Sequence, residues 1–100
     1  MRYFIAESIF NAQLPVSEDE LKTIVIPAHE AHIAKGIASG RILLAGPKLS
    51  EGGGLMISRA ESREDLDAFL AIDPFVTMGV ASFSVKEFKL NDRSEYVKEW

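Results

Sequence analysis

Residues 2–10, RYFIAESIF, alternate with a period of two: Tyr3, Ile5, Glu7 and Ile9 fall on one face, Phe4, Ala6 and Ser8 on the other. Aromatic and β-branched types dominate, so the stretch predicts a strand with apolar character on both faces. Two-sided burial implies helices against one face and a second surface against the other. After Ala12-Gln13-Leu14-Pro15 the period changes. Ser17 and Glu20 stand at capping-box spacing, and the early acids Glu18 and Asp19 suit the positive end of a helix. Leu21, Ile24, Val25 and Ala28 carry an apolar stripe that Pro27 interrupts. Either one long helix kinks there or a second helix begins there, because proline lacks a backbone donor and crowds the preceding turn. The helical pattern then runs to Ser39, with Gly40 as its stop.

The next segment, RILLAGP, predicts a short apolar strand ended by Gly46-Pro47, followed by the loop KLSEGGG and a strand LMISRA. Three successive glycines, Gly52, Gly53 and Gly54, mark either mobility or a close approach to another group. A phosphate loop would need a lysine and a hydroxyl directly ahead of a helix, and these are absent. Ser62 and Asp65 repeat the capping pattern, and a second helix runs through Leu66, Phe69 and Leu70 to Ile72. Residues 73–79 form a bridge into a last strand over 80–90, VASFSVKEFKL. The tail 91–100 is polar but ends in Tyr96, Val97 and Trp100, which suit docking on a neighbouring surface.

The order β-α-β-β-α-β predicts an α+β fold: a ferredoxin-like sandwich in which a four-stranded antiparallel sheet carries both helices on one face. The whole chain, 1–100, reads as a single domain with 91–100 as its C-terminal tail. The other sheet face is left to pack on a second subunit or to line a pocket, so a homodimer is expected. With 100 residues, the chain has only a thin core of its own.

Charge narrows the partners. Fifteen acids against 11 bases give a formal charge of -4, and no basic cluster is long enough to follow a phosphate backbone, so nucleic-acid binding is not expected. Without cysteine there are no disulfides, thiol nucleophiles or thiolate metal sites. The first ten residues lack the pattern of a signal peptide, and no apolar run approaches a membrane span, which points to a cytoplasmic protein without a membrane partner.

Two histidines, His29 and His32, occur in PAHEAHIAKG and share one side of a regular helix. A metal site would need a third ligand such as Glu30 or Asp73, but Glu30 is turned about 100° from His29 in a 3.6-residue helix. The spacing also falls one residue short of H-E-x-x-H. No metal or cofactor is expected. Angular position groups His32 with Leu21, Val25 and Ala28, as a partly buried helix residue; His29 is open to either a structural or a functional role. Asp73, in IDPFVTMG, closes a helix before a proline and can bind the backbone amides that follow it. At a helix C-terminus, however, it opposes the helix dipole, and a histidine partner would compensate. Ser8, Ser58, Ser82 and Ser84 have no nucleophile elbow around them, whereas Lys48, Arg41 and Arg59 are candidates for an acidic ligand or for plain surface roles.

The segments IPAHEAHIAKGIASGRILLAGP and AIDPFVTMGVASFSVKEF, in that order and spacing, resemble the YciI-like (YCII-related) family over residues 2–90. The resemblance implies a small dimeric protein related in fold to muconolactone isomerases, and hence a dimeric α+β barrel. It also implies a catalytic histidine and aspartate, which by motif are His29 and Asp73. One branch resembles a dehydrochlorinase acting on hydroxylated aromatic rings. The chain departs from many relatives at Ile26, where they have arginine, which puts a shared anionic ligand in doubt. The expected function is therefore acid-base chemistry, as an isomerase or a dehydrochlorinase-like lyase, on a small organic substrate of aromatic or acidic type. The alternatives are a non-catalytic small-molecule-binding dimer or a purely structural one.

Overall fold

Residues Arg2–Phe10 form strand β1 at the centre of the sheet, as the alternation predicts. The computed structural model describes all 100 residues and adds β2 (Ile42–Pro47), β3 (Gly54–Ala60) and β4 (Ala81–Phe88). All pairings are antiparallel, and the strand order is β2-β3-β1-β4. Ile5 faces Ile57 on β3 and Lys86 on β4, which fixes the register in the middle of the sheet. Phe4, Ala6 and Ser8 are buried beneath the helices, whereas Ile5 and Ile9 stand 42% and 43% exposed on the opposite face.

The four-stranded antiparallel sheet and its helices have the expected ferredoxin-like topology, but the expected α+β barrel does not form. The sheet is open: β2 and β4 are its two edges and do not meet. Four strands at ordinary spacing are too few to wrap around a core, since small closed barrels need about eight.

The first helical segment begins at α1 (Glu18–Glu20), where Ser17 and Glu20 form the full capping box. It continues without a break through a π-helical turn, Leu21–Val25, into α2 (Ile26–Ala38). The π turn is closed by the amide of Ile26 donating to the carbonyl of Leu21, five residues back. Pro27 explains it. The proline offers no N–H to the carbonyl of Thr23 and would crowd it, and the wider turn relieves both problems. The added residue rotates everything after it. Val25 is buried, but Ile24 is 53% exposed and Ala28 is also exposed, so the apolar stripe read from the sequence does not run straight through. The buried side resumes at Ile26, His29, Ile33 and Gly36. Gly40, at φ +79°, ends the segment.

The second helical region is also two helices. Ser62 caps α3 (Arg63–Ala71), and Asp73 caps a further short helix, α4 (Pro74–Thr77), within the stretch read as a bridge. The tail docks on its own sheet. Trp100 lies 5.5 Å from the Tyr3 ring, and its carbonyl accepts from Arg59 Nη1 at 2.9 Å. No helix is long and apolar enough to cross a membrane.

Burial is divided between two clusters. One holds Phe4, Ile42, Met56, Leu66 and Leu70; the other holds Val25, Phe75, Val80 and Ala81.

The cap at Ser17 is the handle on the long helix. Ser17→Ala should cost about 1 kcal/mol, read by urea unfolding. The Glu20 carboxyl is held below its ordinary range, first by its hydrogen bond from the Ser17 amide and then by the serine side chain. A lowered carboxyl contributes above its unfolded pKa and loses that contribution as pH falls through the folded value. The stability gap between wild type and Glu20→Gln should therefore be open at neutral pH and close below about pH 4.

Candidate active site

His29 sits on α2 one turn after the π-helical segment, and Asp73 sits at the start of α4. The structure brings them together. His29 Nδ1 lies 2.8 Å from Asp73 Oδ1 and 2.9 Å from Oδ2. Asp73 is fully buried, and the His29 side chain is 16% exposed. The amide of Phe75 donates to the same Oδ1 at 2.8 Å. A carboxylate accepts, so the His29 nitrogen facing it carries the proton and donates. This leaves Nε2, which makes no hydrogen bond to the protein, as the nitrogen free to exchange a proton.

The imidazole is held on a second side. The Phe75 ring stacks on it with centroids 3.7 Å apart and planes 3° from parallel. A single short motif therefore provides the carboxylate, one of its donors and the ring that fixes the imidazole plane. Asp-Pro at the start of a helix is a local sequence signal, with an oxygen-bearing cap followed by a proline that needs no partner for its missing N–H. Read as the end of α3, Asp73 opposed the helix dipole; as the cap of α4 it stands at a favourable end.

His29 opens onto a cavity of about 460 Å³. Ile26, His29, Glu30 and Ile33 form the α2 wall, with Ser8 and Phe10 from β1, Met56 from β3 and Phe75 from α4. The i, i+3, i+4, i+7 spacing puts those four α2 residues on one stripe. Glu30 thus lines the cavity beside His29: the angle of about 100° between them fits within a stripe of this width. The remaining wall is Ala45, Gly46 and Pro47 at the end of β2, Leu55 on β3, and Glu51 with the three glycines. A side chain at Gly53 would come within 2.0 Å of the Ser8 carbonyl, and its φ of +86° is itself unfavourable to other residues. The close approach hinted at by three glycines is contact with β1, and it bounds the cavity.

His32 belongs elsewhere. Its Nε2–H donates to the Phe69 carbonyl at 2.8 Å, and its ring stacks on Phe69, tying α2 to α3. No third histidine, aspartate or glutamate joins the His29–Asp73 pair in a group that could hold a metal ion. None of the basic candidates lines the cavity. Arg59 donates to the carbonyls of Gly40 and Trp100, Arg41 lies 5.0 Å over the Phe69 ring, and Lys48 pairs with Glu7. Of the serines, Ser8 alone reaches the cavity, and its Oγ accepts from the Gly54 amide at 2.7 Å.

The YCII-related domain family matches residues 1–89. No curated protein matches the chain. Among solved structures, the chain is similar to the 5-chloro-2-hydroxyhydroquinone dehydrochlorinase TftG from Burkholderia phenoliruptrix, determined in complex with 2,5-dihydroxybenzoquinone. The TM-score is 0.65 at 22% identity, covering 87% of this chain and 93% of that one. At that identity the likeness is one of fold.

Truncating Asp73 leaves two donors, the His29 imidazole and the Phe75 amide, facing an apolar gap. Asp73→Ala should lower unfolding stability by about 3 kcal/mol, since hydrogen bonds to charged groups contribute about 1.5–3 kcal/mol each. Asp73→Asn, which keeps an oxygen for the Phe75 amide, should lose less in the same denaturation experiment.

Proposed function

This chain belongs to the YCII-related family, and we propose that it is a small-molecule enzyme whose His29 moves a proton while Asp73 positions it. The observation that carries this reading is the pairing of His29 Nδ1 with a fully buried carboxylate while the same imidazole lines a cavity. The arrangement follows the orienting half of a catalytic triad, in which the acid fixes the tautomer and stabilises the imidazolium that forms. Nε2 then acts as the base.

An elimination uses this arrangement directly. Nε2 takes a proton from the substrate, the electron pair left behind forms the new π bond, and the leaving group departs with its own pair as an anion. The proton then passes from Nε2 to solvent through the exposed edge of the ring. In an isomerisation no group leaves, and the same proton returns to another carbon. A dehydrochlorination on a hydroxylated ring is the favoured form, supported by the fold shared with the dehydrochlorinase and by the apolar lining from Phe10, Ile26, Ile33 and Phe75. On such a ring Nε2 first moves a hydroxyl proton to the chlorine-bearing carbon, which becomes tetrahedral as the neighbouring C–O becomes a carbonyl. A second hydroxyl proton is then taken, its electron pair re-forms the π system as a quinone, and chloride leaves that tetrahedral carbon with its own pair. A cavity of about 460 Å³ is ample for one substituted ring.

A homodimer is part of the same reading. Ile5, Ile9, Leu44 and Leu55 are between 42% and 56% exposed on the sheet face opposite the helices, and a second copy of this chain would cover them.

Chloride release from 5-chloro-2-hydroxyhydroquinone tests the chemistry. Wild type should release chloride above the uncatalysed rate; His29→Gln should lose about 10²–10⁴-fold in kcat with ligand binding retained. Asp73→Asn should fall by a comparable factor through loss of the correct tautomer. Wild-type turnover that survives intact in His29→Gln would sink the assignment. In sedimentation, the purified chain should run as a dimer and Ile5→Glu/Leu55→Glu as a monomer; a wild-type monomer at micromolar concentration would remove the dimer.

A further inference from the structure

The cavity carries charge of one sign. Its lining contributes Glu30 and Glu51 and no lysine or arginine. Lys48 follows the wall residue Pro47, but its ammonium is committed to Glu7 at 3.0 Å and Glu51 at 3.6 Å, with only 9% of the side chain exposed. Its pKa is raised, with the Glu7 hydrogen bond as the leading cause. Glu30 makes no ion pair. Taking the lining groups together with the charges bonded to them, four carboxylates (Glu7, Glu30, Glu51 and Asp73) face one ammonium. His29 is the sole remaining group able to carry positive charge. Hydrogen bonding, in contrast, is available to a neutral guest. Ser8 Oγ accepts from Gly54, so its own hydrogen is free to be donated.

We propose that this cavity selects uncharged, ring-sized substrates bearing hydroxyl or carbonyl oxygens and rejects carboxylates and phosphates. The inference rests on the reading of the His29 cavity as a substrate site, and it narrows that reading by removing acidic substrates from it. The physical cause is repulsion at short range. A guest inside this cavity lies within a Debye length, about 8 Å at physiological salt, of both glutamates, so dissolved ions screen the repulsion only in part. Ile26, one turn before Glu30, adds an alkyl chain to the same wall and no positive charge.

Two probes of the same shape differ by one charge: 4-hydroxybenzyl alcohol and 4-hydroxybenzoate. Calorimetric titration of the full-length chain near neutral pH should show the alcohol binding at least about tenfold more tightly, the size of effect that a nearby charge produces at intermediate dielectric. Glu30→Gln/Glu51→Gln should bring the two affinities close together, and Ile26→Arg should favour the benzoate. Both glutamates are exposed, and circular dichroism checks that each variant is folded; if one variant fails to fold, the other carries the comparison. Equal wild-type affinities would overturn charge selection and leave the cavity as a site. A preference unchanged in the folded variants would overturn its assignment to these residues. Failure of wild type to bind either probe would overturn this inference together with the substrate-site reading beneath it.

Discussion

Asp73 is out of contact with water, and a buried carboxylate is costly unless its oxygens are hydrogen-bonded. That requirement ties three parts of the chain together. The donors come from His29 on α2 and from the Phe75 amide on α4, and the acid itself sits where α3 gives way to α4. To satisfy the carboxylate, α2 must lie at a fixed distance from that junction, with the imidazole presenting Nδ1. Phe75 then closes over the ring it has helped to place. A group introduced for stability alone would more often be paid for with backbone amides; here half of the satisfaction comes from a side chain that opens onto a cavity.

The cavity follows from how little core a chain of this length can make. The buried apolar residues form two separate clusters, and the cavity lies on the seam between them. Met56 and Ile33 belong to the first, whereas Phe10, Ile26 and Phe75 belong to the second. Small residues keep the seam open: Ser8 on β1 and Ala45 and Gly46 on β2. Larger side chains there would join the clusters into one core, with a gain in apolar burial and no room for a guest. The His29–Asp73 pair stands at this seam on the side of the second cluster, with the imidazole stacked on Phe75.

Much of this was legible in the sequence. The period-two and capping signals located all four strands and the starts of both main helices, because such signals depend on neighbours a few residues apart. The pairing of His29 with Asp73 spans 44 residues, and local pattern could show only that Asp73 would gain from a histidine partner. The resemblance joined them. Errors came where one residue changed the phase or the role of its surroundings. Pro27 produced a π turn, which displaced Ala28 from the buried side. Asp-Pro was read as an ending because α3 stops nearby, although the same two residues start α4. Closure of the sheet depends on whether its edges meet, and no periodicity within a strand encodes that.

The glycine loop connects the shape of the cavity to its charge. Gly53 lies against the Ser8 carbonyl and Gly52 against the Phe10 ring, so side chains at either position would lift the loop away from β1. Lys48 holds the same loop through Glu7 on β1 and Glu51 within the loop, leaving the trio with a net negative charge. Backbone contact and ion pairing therefore act in the same direction, and both carry Glu51 to the cavity wall. Depth and part of the negative potential arise from one device. A change that opens the loop would at once enlarge the cavity and withdraw Glu51 from its wall, leaving Glu30 on α2 as the remaining acid.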